Sequence, residues 1–417
     1  MYKTKTMSDL SILFISVFTA LLSFACNPTS IDTTPIASSF NEGHQEEFTT
    51  TVIVGADRIA LYYPMLEGKR VALVVNQTSR VGHMHLVDTL VQMGVDIVKI
   101  FAPEHGFRGE ADAGAKVSDA KDSKTGLPIL SLYGSNRKPS KEQLEGVDIV
   151  LFDIQDVGVR FYTYISTMTL VMEACAEMAL PIIVLDRPNP NGHYIDGPVL
   201  EEGWESFVGM HQVPVVYGMT IGEYAKMVNG EGWLNDGLSC SLTVIPCKNY
   251  DHNTYYNLPI PPSPNLPNIQ SILLYPSLCF FEGTTVSVGR GTSKQFQIIG
   301  HPQFQDEGFS FTPVSSPGAK YPKHENQICY GKDLSSLTKG SLFDSKRLDL
   351  SYLLEAYESF DGDEFFNDNN FFDKLAGTDQ LKDQVIRGYT EDEIRSTWKN
   401  DIERFKLIRS KYLIYPE

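Results

Sequence analysis

The sequence predicts an α/β protein, a mostly parallel sheet domain followed by a smaller α+β domain. Three observations carry that reading. Short β-rich apolar runs alternate with amphipathic segments from about residue 49 to residue 239. Each run leads into a dense polar motif. Beyond a proline-rich connection, the texture changes to a mixture of β-like and helical pieces over 240–417. Strands separated by helices pair in parallel through right-handed crossovers.

The elements follow in order. RVALVVN (70–76) is a buried strand by its continuous Val/Leu content. HLVDTLVQMG (85–94) is a helix closed by Gly94, and VDIVKIFAP (95–103) is the next strand. LPILSLYG (127–134) is another strand, KEQLEG (141–146) a short helix, and VDIVLFDIQD (147–156) a strand. A long helix, ISTMTLVMEACAEMAL (165–180), leads into the strand PIIVLDRPN (181–189). The helical MTIGEYAKMVNGEGWL (219–234) closes the first domain. Residues 251–268 hold five prolines and read as an extended, irregular connection. After it come the β-like TTVSVG and KQFQIIG, then the helical DLSYLLEAYESF and TEDEIRSTWKNDIERFKLIRSKYL. The stretch DGDEFFNDNNFFDK (361–374) reads as a surface loop in preference to a lid.

Composition bounds the function. The chain has 417 residues, and 35 Lys+Arg against 52 Asp+Glu give a net charge of −17. So acidic a protein gains no counterion-release energy from phosphates, which argues against nucleic acid as a partner. At the N-terminus, Lys3 and Lys5 precede an apolar run from Leu10 to Cys26, shorter than the ~20 residues that span hydrocarbon comfortably. This is the pattern of a secretory signal. Ser23-Phe24-Ala25-Cys26 resembles a bacterial lipoprotein cleavage site, although Ser23 stands where an aliphatic residue is usual. Residues 1–26 are therefore expected to be a lipoprotein signal with Cys26 lipidated, and the polar 27–48 a flexible tether. That expectation puts the protein in the bacterial cell envelope, periplasmic, with the N-terminal lipid as its membrane contact. Loss of Lys3, Lys5 and Asp9 would leave −18. The other five cysteines lack a C-x-x-C pair, so no disulfide scaffold or zinc knuckle is indicated. Cys175 reads as core, and a Cys240–Cys247 bridge as a lesser alternative to free thiols.

The polar chemistry gathers at the strand ends. After the first strand comes Asn76-Gln77-Thr78-Ser79-Arg80, and after the second Pro103-Glu104-His105-Gly106-Phe107-Arg108. Later strands run into Asp153-Ile154-Gln155-Asp156 through Tyr164, and into Asp186-Arg187-Pro188-Asn189. In an open α/β sheet these ends share one edge, where ligands bind. No G-x-G-x-x-G, P-loop or G-x-S-x-G is present, so dinucleotides, P-loop chemistry and α/β serine hydrolysis are disfavoured. His83-Met84-His85 lacks a carboxylate or cysteine at ligand spacing and reads as surface histidines, so no metal is expected. Carboxylates, arginines, amides and tyrosines remain, an inventory suited to glycosidic cleavage. Glu104 is the best proton-handling candidate, with Asp153 and Asp156 as rivals. The competing reading of Glu104 is a structural ion pair with Arg108.

The strings FAPEHGFRGEADAGAKV, GLPILSLYG, DIQDVGVRFYTYISTM, VLDRPNPNG, DGPVL, YGMTIGEYAKM, PPSPN and YPSLCFFEGTTVSVGRGT resemble the exo-β-N-acetylmuramidase family of peptidoglycan hydrolases. They run in order from about residue 70 to residue 300. The resemblance implies a Rossmann-like domain without dinucleotide, a smaller C-terminal domain, and an active site in the cleft between them. It implies release of β-1,4-linked N-acetylmuramic acid from non-reducing ends of peptidoglycan fragments, without a cofactor. Carried over, EHG maps to Glu104, His105 and Gly106, with Glu104 as acid/base. The next motif maps to Asp153, Gln155, Asp156, Arg160, Tyr162, Thr163 and Tyr164, and DRPNP to Asp186, Arg187 and Asn189. FEGT and GRGT map to Glu282, Arg290 and Thr292. Glu104, His105, Asp153 and Asp156 thus form the candidate catalytic set, with Asp156 or Glu282 as the second group. Asn76, Arg108, Gln155, Arg160, Tyr162, Tyr164, Asp186, Arg187, Asn189, Glu282 and Arg290 form the substrate-binding set. Thr284-Thr285 departs from the Asn common after FEGT, and SKQFQIIGHP departs from the family's form of the following loop. The lactyl carboxylate of muramic acid calls for a planar two-donor cation, Arg160, Arg187 or Arg290. Tyr162, Tyr164 or Phe281 would meet the sugar ring. A non-catalytic muropeptide-binding lipoprotein on the same fold is the alternative, and a glycosidase of N-acetylglucosamine a third.

Overall fold

In the computed structural model the described residues are 51–104, 106–108 and 120–417. The expected signal, Cys26, the tether and His105 lie outside them. Six parallel strands form the main sheet: β1 (Arg70–Val75), β2 (Asp96–Ala102), β3 (Pro128–Ser131), β4 (Ile149–Asp153), β5 (Ile182–Leu185) and β6 (Leu242–Ile245). Their order is β3-β2-β1-β4-β5-β6, with Ala120–Lys121 added antiparallel beyond β3. This is the doubly wound Rossmann order, and its direction reverses between β1 and β4.

The unbroken apolar run of β1 is explained by burial on both faces. Val71, Leu73 and Val75 join Tyr62, Leu66, Leu86 and Leu90 of helices Ile59–Leu66 and Leu86–Gln92. Ala72 and Val74 face the opposite layer, with Met168 and Met172 of helix Tyr164–Glu177 and Tyr224 and Val228 of helix Ile221–Gly230. That second core continues through helix Ile269–Leu278 to Phe372, Ile394, Trp398 and Phe405 in the C-terminal region. The chain from residue 51 onward therefore packs as one compact unit.

The sheet does not stop at residue 239. Strand β6 pairs with β5 from Leu242↔Ile182 to Ile245↔Leu185, so the sheet domain extends beyond the expected boundary. A small antiparallel sheet follows, with Ile298–His301 and Ser310–Phe311 flanking Cys329–Asp333. KQFQIIG supplies part of it, whereas TTVSVG forms only isolated bridges, Thr284↔Phe366 and Ser287↔Gly300. The Lys323 ammonium accounts for this: it donates to the carbonyls of Phe281, Glu282, Thr284 and Val286, where a neighbouring strand would otherwise bond. The stretch 361–374 is not simply a surface loop, because Phe365 and Phe372 are buried and helix Phe371–Ala376 begins inside it. All five described cysteines are free and buried, Cys240 and Cys247 included.

Arg160 was read as a substrate arginine, and the structure gives it another task. It is fully buried, donating through Nη1 to the carbonyls of Pro198 and Val213 and through Nη2 to those of Leu375 and Ala376. A planar fork holds its donors in fixed directions toward both sides at once. Burial lowers the guanidinium to about 9. Arg160→Ala strands four carbonyls and opens a void, so urea unfolding should show a loss of at least ~2–4 kcal/mol. Arg160→Lys should recover only part of it; full recovery would show that charge alone matters.

Candidate active site

The chain leaves β2 in a tight turn, with the Gly106 N–H donating to the Pro103 carbonyl at 3.1 Å. Gly106 has φ +78°, the left-handed region where glycine carries no Cβ penalty. Glu104 projects from this turn, half-buried, and its Oε2 accepts from the Thr163 hydroxyl at 3.5 Å. Thr163 is the N-cap residue of helix Tyr164–Glu177 yet makes no side-chain cap. Its hydroxyl is turned to the carboxylate instead. Tyr133, just past β3, is pushed up to about 12, by burial first and then by the negative Glu104.

Glu104 and Thr163 open on a cleft of roughly 90 Å³. Glu104 and Phe161–Tyr164 form one side, Ser263, Asn265 and Leu266 of the proline-rich connection a second, and Tyr275, Arg290 and Phe296 the third. Tyr162 meets Tyr164 and Tyr275 edge to face, at 5.0 and 5.9 Å between centroids, making an aromatic wall. Among the described lining residues, Glu104 is the only carboxylate.

Many of the other sequence candidates lie behind this surface. Asp153 is completely buried, and its two oxygens receive Arg187 Nε at 2.6 Å and Nη2 at 2.8 Å. The Gln155 amide donates to the Asp156 and Pro188 carbonyls, tying two strand-end loops together. Asp156 accepts from the Tyr217 hydroxyl and the Gly158 N–H, while its other oxygen is buried without a partner among the described residues. Gly158 has φ +76°, and a Cβ there would fall 2.1 Å from the Asn189 side chain, so only glycine fits. Asp186 accepts from Thr220, Gly222 and Tyr415, which anchors the C-terminus to the end of β5. Asn189 bonds the Met219 carbonyl and the Asn191 N–H. Asn76 accepts twice from Thr78.

Arg108 pairs with Asp122 and Asp88 and not with Glu104, so it is not brought to the cleft. His85, expected on the surface, is buried: its Nε2 bonds the Asn76 carbonyl and its Nδ1 accepts from the Val87 N–H as a helix cap. Phe281 is fully enclosed and unavailable to a sugar.

Glu282 and Arg290 form an ion pair at 3.0 Å. Arg290 reaches the cleft, whereas Glu282 lines an adjoining hollow of about 360 Å³ with Lys320 and Lys323. Burial pushes the Glu282 carboxyl up, but Arg290 and Lys323 outweigh it and hold the carboxyl below its ordinary value. Sequence reasoning did not single out Tyr133, Ser263, Asn265, Tyr275, Phe296 or Lys323. The PPSPN string held the one available signal, polar Ser263 and Asn265 among prolines. Asn265 donates to the Gly318 carbonyl, while its Oδ1 is buried in the cleft wall without a partner among the described residues. A buried acceptor left open costs free energy unless a ligand or water fills it.

A strand-end cleft with one described carboxylate, an aromatic wall and an arginine is a Rossmann-type site with the inventory of glycosidic chemistry. Two family models agree with that class: the N-terminal domain of exo-β-N-acetylmuramidase NamZ matches residues 71–270, and its C-terminal domain residues 273–415. The chain belongs to this family. It is 37% identical over 385 residues to the peptidoglycan β-N-acetylmuramidase NamZ of Bacillus subtilis (strain 168), covering 85% of this chain and 89% of that protein. Crystal structures of two DUF1343 family proteins from Bacteroides fragilis NCTC 9343 share the fold. One has a TM-score of 0.82 and 49% identity, covering 88% of this chain and 100% of its own. The other has a TM-score of 0.73 and 30% identity, covering 87% and 99%.

Burial raises the Asp156 carboxyl to about 6, against the lowering effect of Tyr217 and two backbone N–H groups. Its folded value thus exceeds its unfolded one. The group takes up a proton on folding, and its contribution to stability falls as pH rises from about 4 through about 6. Asp156→Asn keeps an acceptor for Tyr217 and Gly158 and removes the titration. Urea midpoints should show the variant gaining on wild type by up to about 3 kcal/mol between pH 4 and pH 8. A constant difference across that range would show that Asp156 is not the titrating group.

Proposed function

We propose that the protein is a glycosidase releasing β-1,4-linked N-acetylmuramic acid from the non-reducing ends of peptidoglycan fragments, in peptidoglycan turnover and recycling. The observation that carries this reading is Glu104, the single described carboxylate of a strand-end cleft, in a chain whose relative in Bacillus subtilis is a peptidoglycan β-N-acetylmuramidase. Protonated Glu104 gives its proton to the glycosidic oxygen as the bond from the anomeric carbon breaks. A water adds its oxygen to that carbon and releases a proton, so the enzyme is restored with one water consumed. Tyr162 and Tyr164 offer an apolar wall to the sugar ring, and Asn265 Oδ1 offers an acceptor to a hydroxyl or acetamido N–H. The residues on either side of the proline-rich connection together complete the cleft, which supports a two-part catalytic body.

Glu104→Gln preserves shape and removes the transferable proton. Turnover of a chromogenic β-N-acetylmuraminide should fall at least ~10²-fold, while a muramyl disaccharide still binds by calorimetry. Wild type that binds the disaccharide and never cleaves it would instead support the binding-protein alternative.

In the same proposal Cys26 carries lipid and tethers the enzyme to the cell envelope facing the periplasm, supported by Lys3, Lys5 and the apolar run ending Ser23-Phe24-Ala25-Cys26. In cells fed an alkyne fatty acid, wild type should be labelled and sediment with membranes. Cys26→Ser should lose both properties, and a variant still labelled and sedimenting excludes this anchor.

A further inference from the structure

We infer that Arg290 is the specificity-determining residue that reads the lactyl carboxylate of the muramyl sugar, with Glu282 as its positioning residue. The inference rests on the glycosidase reading above. N-acetylmuramic acid differs from N-acetylglucosamine by one group, a lactyl ether ending in a planar carboxylate. Reading that group takes two parallel N–H donors on a fixed cation.

Three arginines lie in the polar motifs, and the structure separates them by what their donors already hold. Arg160 spends both terminal nitrogens on four carbonyls. Arg187 spends Nε and Nη2 on Asp153 and the Arg80 carbonyl, with its side chain buried. Arg290 alone of the three reaches the Glu104 cleft. Its Nε is held by Glu282 Oε1 at 3.0 Å, and its guanidinium carbon lies 5.3 Å from the centre of the Phe296 ring. Its two terminal nitrogens have no hydrogen-bond partner among the described residues. The fork is therefore fixed from behind, with its terminal nitrogens unpaired among the described residues, so little rotamer entropy is lost when an anion docks.

The surroundings favour an anion despite the overall charge of −17. Arg290, Lys320 and Lys323 outnumber the single carboxylate Glu282 around the hollow that adjoins the cleft. Lys323 bonds carbonyls of the segment 281–286, which carries Glu282, so it stabilises the mount of the arginine as well as adding charge.

The test compares 4-nitrophenyl β-glycosides of N-acetylmuramic acid and of its lactamide, which has the same shape without the charge. Wild type should prefer the acid in kcat/KM by about 10- to 100-fold, the worth of a charged hydrogen-bonded pair. Because the contact exists before reaction, the preference should reside mainly in KM. Arg290→Gln should lose the preference, with kcat/KM falling about 10- to 100-fold further on the acid than on the lactamide. Arg290→Lys, which still neutralises Glu282, should retain part of the preference and serves if the glutamine variant fails to fold. Equal losses on acid and lactamide, or an undiminished preference in either variant, overturn the assignment. If wild type cleaves neither glycoside, the glycosidase reading fails by itself. Calorimetric binding of free N-acetylmuramic acid and its lactamide then decides Arg290, and equal affinity of wild type for the two overturns it.

Discussion

The buried ion pair between Asp153 and Arg187 is the constraint on which the site depends. Asp153 ends β4 and Arg187 lies just beyond β5, so the pair locks two neighbouring strand ends together. Neither charge could be enclosed alone, because an unpaired buried ion costs several kcal/mol. Around it the Ser79 hydroxyl donates to the Asp153 carbonyl, the Gln155 N–H to Thr78 Oγ1, and Arg187 to the Arg80 carbonyl. The ends of β1, β4 and β5 thus become one hydrogen-bonded block at the point where the sheet order reverses. The loop leaving β4 is fixed by that block and carries Phe161–Tyr164 to the cleft. Precision there comes from the scaffold, with the loop as its extension.

That arrangement explains what the sequence could and could not reveal. Five of the six parallel strands and most of their helices were legible because a two-face-buried strand and an amphipathic helix declare themselves locally; β6 and helix Ile59–Leu66 were not. Convergence of polar motifs on one sheet edge was legible for the same reason. The division of labour within those motifs was not. Asp153 looked catalytic, and Gln155, Asp186 and Asn189 looked like substrate contacts, yet each is occupied by another motif residue or a nearby backbone group. Buried polar atoms must be satisfied, and a string of letters shows their density without their partners. Arg160, Arg187 and Arg290 are identical as letters and differ only in what their nitrogens touch.

Long-range partners hid the remaining features. TTVSVG has a strand's composition, but Lys323, 37 to 39 positions away, takes the Thr284 and Val286 carbonyls that would build a ladder. The stretch 361–374 is acidic enough to suggest a surface, yet Phe365 and Phe372 find aromatic neighbours in Tyr357, Phe366 and Phe280. His85 sits beside an exposed Met84 and is buried because Asn76 and Val87 complete both its ring nitrogens. For the first two the decisive partners, Lys323 and Phe280, come from elsewhere in the chain, beyond the reach of local periodicity.

The proposed proton-handling carboxylate and the proposed anion-reading arginine come from different parts of the chain. Glu104 belongs to the turn after β2, and Arg290 to the segment beyond helix Ile269–Leu278. Their relation is held by one apolar core running from β4 through that helix, and by Arg160 gripping carbonyls at Leu375 and Ala376 from the loop after β4. A site assembled across two loosely joined domains would lose its geometry with each relative motion. Continuous packing removes that freedom before substrate arrives, and orientation is where much of the available catalytic advantage lies. The buried arginine once read as a ligand contact therefore serves the ligand at one remove. It holds together the two halves between which the sugar must lie.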